Sequence, residues 1–325
     1  MRCKHEVMAE FRFDFVVKDN DVETDYPLET LKTAAVPEST TSAIGHKTSS
    51  KSAEELIVDL SAVEDQINPD DIDVIQVGDI DIKYINSTGI EEEIRIEECE
   101  RDNKITNSDN LAKAILNRSD LISGVYEGGL KVWECSLDLA NFLAQEITSC
   151  EHLDVLELGC GAGIPGLYLM AQGALVHFQD YNSEVLERLT VPNVIMNQQN
   201  RDDQKGVKNK KENQIKQSCR YFIGDWSDMT DVLKTNNIPN KYDVILTSET
   251  IYNVSYYERL HDLFSASLKP AGCVYVAAKT HYFGVGGGTR VFEEFVIKKQ
   301  MFNISCCWKN NEGLQREILK LEFKT

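Results

Sequence analysis

The run Asp154-Val155-Leu156-Glu157-Leu158-Gly159-Cys160-Gly161-Ala162-Gly163-Ile164-Pro165-Gly166 constrains this chain more than any other stretch. An apolar strand breaks into a turn with glycine at every second position, and Leu167 to Met170 behind it read as a helix. Glycine lets the backbone turn tightly and approach a ligand without a Cβ in the way. The helix that follows offers free N–H groups and a positive dipole end. Strand, glycine turn and helix in that order open a nucleotide-type cofactor loop in an α/β sheet.

The spacing narrows the cofactor. A dinucleotide fingerprint needs glycine at its first, third and sixth positions, and the sixth position counted from Gly159 is Ile164. Glu157 would face a pyrophosphate with the wrong charge, and it suits a cationic or amine-bearing ligand. Asp180 ends a second apolar run, nineteen residues after Gly161, where an acid accepts hydrogen bonds from ribose hydroxyls. Glycines 159, 161 and 163, Glu157 and Asp180 together fit S-adenosylmethionine, whose sulfonium and amino groups are positive. The competing reading is an ordinary strand, turn and helix with one exposed acid.

The segment Glu157-Leu158-Gly159-Cys160-Gly161-Ala162-Gly163 resembles the first motif of the seven-strand (class I) methyltransferases. Four further segments resemble one subgroup, the histidine protein methyltransferases that modify a large-subunit ribosomal protein. They are Gly128-Gly129-Leu130-Lys131-Val132-Trp133-Glu134-Cys135, His177 to Asn182, Leu246 to Asn253, and His281 to Gly288. The resemblance runs in order through residues 123–325. It implies a Rossmann-like α/β sheet with seven strands and helices on both faces, over residues 116–325. It also implies a methyl acceptor in a large-subunit ribosomal protein, free or within a pre-ribosome or ribosome.

Site residues follow from both sources. Asp180 is expected on the ribose, flanked by Gln179, Tyr181 and Asn182. Gly224, Asp225 and Trp226 suit the adenine, although Asp225 also reads as a helix N-cap and Trp226 as a core ring. The resemblance places Val132, Trp133, Glu134, Cys135 and Ser136 over the methionine end, with Ser248 approaching after the fourth strand. Glu249-Thr250-Ile251-Tyr252 resembles an acid–x–x–aromatic motif of related protein methyltransferases. Glu249 is the candidate catalytic carboxylate, with Tyr252 orienting the acceptor ring; a buried acid that merely structures the loop is the alternative. Neutral imidazole already predominates at pH 7, its reference pKa being about 6.5, so the acceptor needs no strong base.

Charge is divided unevenly. Residues 1–130 hold 29 acids and 13 bases, whereas residues 131–325 hold 24 and 21. That asymmetry speaks against sequence-specific nucleic-acid binding and fits a basic protein partner or a solubilising acidic arm. Residues 1–115 read as an acidic, mostly disordered extension, with eight Ser or Thr among residues 38–52. Within it, Phe11, Phe13 and Phe15 alternate like a strand, and Asp71 to Ile85 alternates like a hairpin or an added sheet edge. The lysines between Gln198 and Cys219 read as a solvated loop, or as a nuclear signal or nucleic-acid contact.

The nine cysteines show neither zinc-type spacing nor a disulfide framework, so no metal is expected and a reducing compartment is. No uncharged apolar run approaches the ~20 residues that span a bilayer. The expectation is a monomer in cytoplasm and nucleus, extending to the nucleolus if the substrate is ribosomal. Two further readings stay open: a protein-lysine methyltransferase of the same fold, and a non-catalytic binding protein for a basic ribosomal partner.

Overall fold

The fold is taken from a computed structural model, which describes residues 52–64, 67–100, 114, 115, 122, 125–147, 149–205, 219–236 and 242–325. Its strands are β1 (Glu54–Leu56), β2 (Ile72–Val77), β3 (Ile80–Ile85), β4 (Asp154–Leu158), β5 (Leu175–Asp180), β6 (Tyr221–Ile223), β7 (Tyr242–Ser248), β8 (Leu268–Lys279), β9 (Phe302–Lys309) and β10 (Arg316–Phe323). Eight of them form one sheet in the order β1-β6-β5-β4-β7-β8-β10-β9. β6, β5, β4, β7 and β8 run parallel to their neighbours in that series. β10 joins β8 antiparallel and pairs with β9 as a terminal hairpin.

Alternation along each strand sends side chains to opposite faces, and each face has its own apolar core. Val155, Val176, Phe178 and Leu246 pack on one face, with Leu139 and Leu143 of helix α1 (Glu134–Glu146) and Leu167 of helix α2 (Ile164–Ala171). Leu156, Ile245, Val274 and Val276 face the other way. There they meet Met229 of helix α3 (Trp226–Thr235), Leu260 and Phe264 of helix α4 (Tyr257–Ser267), and Phe292 of helix α5 (Thr289–Lys299). Each such side chain, fully buried, contributes about 1.5–3 kcal/mol relative to exposure.

The sheet has eight strands where seven were expected. The extra one is β1, which lies in the stretch read as a mostly disordered extension and pairs antiparallel with β6. Arg220 fixes it, donating from Nε and Nη2 to the two oxygens of Glu55 at 2.6 and 2.5 Å. The stretch Asp71–Ile85 forms the expected hairpin, but β2 and β3 make a sheet of their own rather than an added edge. That hairpin is tied to the helix Val191–Lys205. Asn197 accepts from Lys83 N–H at 3.0 Å and donates to the Lys83 carbonyl at 2.7 Å, and Asn193 accepts from Ile85 N–H at 2.8 Å. Over its described residues, then, the acidic extension is folded onto the domain. Phe11 to Phe15, residues 38–51 and Lys208 to Lys216 lie outside the described residues.

Candidate functional site

Gly159, Gly161 and Gly163 all take positive φ, at 58°, 51° and 74°, so the turn after β4 uses left-handed backbone three times in five residues. Space demands glycine there as well. A Cβ on Gly161 would stand 2.9 Å from the Gly129 carbonyl oxygen, and one on Gly159 would stand 2.7 Å from Thr250 Cγ2. The Gly128–Gly129 turn and the turn after β7 therefore both press on the glycine loop. Segments 32 and 91 residues from the loop in sequence (161 − 129 and 250 − 159) meet it at one end of the sheet, beyond the carboxyl ends of its parallel strands, where open α/β sheets bind ligands.

Period two decides which acid faces what. Glu157 points to the same face as Val155, beneath helix α2, where its Oε2 accepts from Gly166 N–H at 2.8 Å. It is buried, and desolvation, partly offset by that N–H, pushes its pKa to about 8. Burial thus favours the protonated form of Glu157, which weakens the charge argument made for it from sequence. Asp180 at the end of β5 is also buried. Gly161 N–H donates to its Oδ2 at 3.0 Å and Asn182 N–H to its Oδ1 at 3.1 Å, and burial raises its pKa to about 6. Each oxygen keeps acceptor capacity beyond those single bonds.

Gln179 points the opposite way and acts as a clamp. Its Oε1 accepts from Gly159 N–H at 3.2 Å and from the Trp226 indole N–H at 2.8 Å, while Nε2 donates to the Gly224 carbonyl at 2.9 Å. Asp225 caps helix α3 by accepting from Ser227 N–H at 2.9 Å, and its second oxygen pairs with Arg259. So Gly224, Asp225 and Trp226 stand together beside the loop, with Asp225 serving the cap that the sequence also allowed. Tyr181 lies half-buried after Asp180, and Ser248 half-buried at the end of β7.

Past β7, Glu249 takes φ 57°, a left-handed conformation unusual for a residue with a Cβ, held by its N–H donating to the Ala277 carbonyl at 2.9 Å. Tyr282 O–H donates to Glu249 Oε2, and the Lys279 ammonium lies 3.5 Å from its Oε1. Burial and the Glu249 charge together push the Cys135 thiol well above its ordinary pKa. Tyr252 O–H and Tyr256 O–H both donate to Glu127, the latter at 3.1 Å. Rings stand edge to face from Trp226 to Tyr256 (6.3 Å), on to Tyr252 (5.8 Å), and on to Tyr282 (6.3 Å), forming an aromatic wall across the rim.

The segment Val132–Ser136 opens helix α1 against the same rim. Trp133 Nε1 donates to the Gly128 carbonyl at 3.0 Å, and Ser136 Oγ donates to the Trp133 carbonyl at 2.9 Å. Cys135 is fully buried and Val132 half-buried. Glu134 Oε2 sits 3.5 Å from the same Lys279 ammonium. Glu127, Lys279, Tyr256 and Tyr282 are site residues that the sequence reading passed over. Tyr282 lies inside the segment His281 to Gly288, Glu127 just before the glycine pair, and Lys279 at the last position of β8. His281 is exposed, and among the described residues no cluster of three or more His, Cys, Asp or Glu could hold a metal ion.

The residues suit S-adenosylmethionine on grounds the structure itself supplies. The glycine turn leaves no room for a Cβ, and Asp180 waits at the end of β5 with acceptor capacity to spare. Its oxygens suit ribose hydroxyls as donors.

A family model described as "Lysine methyltransferase" matches residues 120–284. The curated relatives include "Histidine protein methyltransferase 1 homolog" of Bos taurus, 42% identical over 224 residues that make up 66% of this chain and 60% of that protein. The protein of the same name from Dictyostelium discoideum is 42% identical over 212 residues, covering 65% of this chain and 62% of its own length. The chain thus spans less than two thirds of the length of these relatives. Among solved structures, a TehB-like SAM-dependent methyltransferase from Corynebacterium glutamicum aligns with TM-score 0.40 and 15% identity, over 67% of this chain and all of that one.

Proposed function

The chain belongs to the methyltransferase family whose model is described as lysine methyltransferase, and from that premise we propose that it transfers a methyl group from S-adenosylmethionine to a protein histidine. The observation that carries the reading is the contact of Thr250, inside Glu249-Thr250-Ile251-Tyr252, with the glycine turn at Gly159. It sets an acid and an aromatic hydroxyl on the rim of the cofactor loop. The histidine acceptor, rather than lysine, is favoured by relatives at 40–42% identity that carry the histidine name. The resemblance seen in sequence extends the reading to a large-subunit ribosomal protein, free or ribosome-assembled, and hence to cytoplasm and nucleus or nucleolus.

In this reading Asp180 holds the ribose, Trp226 and Asp225 border the adenine, and Glu134 serves the methionine end. When bound, the cofactor supplies an electrophilic methyl carbon. What the chain adds is chiefly placement, because holding donor and acceptor in line replaces an unfavourable encounter. Tyr252, fixed by Glu127, would orient the acceptor ring. Glu249 would offset the positive charge that gathers on an imidazole as its nitrogen gains a methyl.

The test incubates the protein with radiolabelled S-adenosylmethionine and total large-subunit ribosomal proteins, then hydrolyses the labelled band to amino acids. Methylhistidine from one protein, lost in D180A, is the expected result. Label in methyllysine alone would overturn the acceptor, and cofactor binding without any label would leave a binding protein.

A further inference from the structure

Lys279, the last residue of β8, is 3% exposed at its side chain, and a lysine is almost never so buried unless paired. Its ammonium stands 3.5 Å from Glu134 Oε2 at the start of helix α1 and 3.5 Å from Glu249 Oε1 after β7. Aromatic faces close the remaining sides, Trp133 with its ring centre 5.3 Å away and Tyr282 at 5.8 Å. Two carboxylates and two rings are what a protein would build to receive an ammonium ion. Here the chain's own ammonium fills that cage.

We propose that Lys279 selects the acceptor: by occupying the Glu134–Glu249 carboxylate pair and the Trp133–Tyr282 walls, it turns away a substrate ammonium and leaves the rim open to a neutral imidazole. The assignment rests on the site reading above. A lysine acceptor arrives charged, with a reference pKa of about 10.4, and meets both an occupied cage and a like charge. An imidazole arrives neutral with one N–H donor. A neutral ring meets no like-charge repulsion from Lys279 and does not need the carboxylate pair that Lys279 fills. Selection works here by exclusion, through a built-in cation, rather than by contacts peculiar to histidine. It also reconciles a family named for lysine with relatives named for histidine.

The experiment compares wild type, K279M and K279R, each as the full chain with labelled S-adenosylmethionine and total large-subunit ribosomal proteins. Methylhistidine and methyllysine are counted in the hydrolysate, and cofactor binding and thermal unfolding are followed alongside. Removing one like charge a few ångströms from the acceptor should raise the methyllysine-to-methylhistidine ratio by on the order of tenfold or more in K279M. K279R keeps the charge and should keep the wild-type ratio. A merely structural lysine would lower both products together and leave the ratio unmoved, and that result overturns the proposal. If K279M does not fold, K279Q retains a donor for the two acids and reads the same ratio. A wild type that makes methyllysine alone sinks the functional reading itself, whereas a wild type that makes methylhistidine beside an unchanged K279M ratio sinks only the role of Lys279.

Discussion

Glu157 shows how one residue can be read correctly as important and wrongly as charged. Its position beside the glycine turn suggested a carboxylate waiting for a cation. Strand alternation instead turns it under helix α2, where burial raises its pKa from 4.5 to about 8. A folded value above the unfolded one means that the folded state binds the proton more tightly. The stabilisation is therefore complete below the unfolded value of 4.5 and is lost as pH rises through about 8. Glutamine imitates the protonated acid and keeps an acceptor for Gly166 N–H, so E157Q should escape the loss. We expect the melting temperature of E157Q to pull ahead of wild type steadily between pH 5 and pH 8.5, and a pH-independent offset would contradict this. A bound cation would favour the carboxylate. Calorimetry in buffers of different ionisation heat should thus show proton release when wild type takes up S-adenosylmethionine near pH 7, and less in E157Q.

Elements that followed simple patterns were legible in the sequence, and those that broke them were not. β4, β5, β7 and β8 each carry an apolar stretch, and helix α4 carries its apolar residues at helical spacing. The helix Val191–Lys205 carries no simple apolar pattern, because its buried face includes Asn193 and Asn197, whose amides serve the glycine loop and the hairpin β2–β3. Asn193 Nδ2 donates to the Ala162 carbonyl at 2.9 Å, a long-range bond no local pattern announces. Helix α3 announces itself in sequence only through its cap, Asp225, a residue the same pattern also offers to a ligand. In the site, residues at glycine turns and strand ends could be found from spacing, whereas Glu127 gains meaning only from Tyr252 and Tyr256, and Lys279 from acids on two other elements. The loop after β8 gives this scale its test. Phe283 is 79% exposed there, and the loop is tied back to the β7 turn by the bridge between Asn253 and Gly286. An exposed aromatic on the rim serves a partner rather than the core. We expect F283S to leave the melting temperature and the KM for S-adenosylmethionine unchanged while raising the KM for the protein acceptor roughly tenfold, as for a single interface anchor. Equal losses for both substrates would place Phe283 in the fold instead.

At the scale of the whole molecule, the acidic extension and the methyl-transfer domain are one folded body wherever both are described. β1 covers the open side of β6, and an uncovered strand edge is a template for association between chains. The path of the chain also reaches the site. A Cβ on Gly224 would come within 2.6 Å of Ala53 Cα and of the Ser52 carbonyl oxygen, so the residues leading into β1 lie directly on the turn that carries Asp225 and Trp226. Removing residues 1–66 should then act in three ways. It strips the partner from Arg220, uncovers the β6 edge, and loosens the turn expected to border the adenine. We expect the truncated chain to melt about 5 °C or more lower, to self-associate in a concentration-dependent manner, and to bind S-adenosylmethionine several-fold more weakly. G224A provides the independent check, because it displaces β1 without shortening the chain and should weaken cofactor binding in the same direction. E55A tests the ion pair alone, and it should lower the melting temperature while sparing cofactor affinity. If the truncated chain binds cofactor as well as the full one, β1 is an edge cover only, and the approach of Ala53 to Gly224 has no bearing on the site.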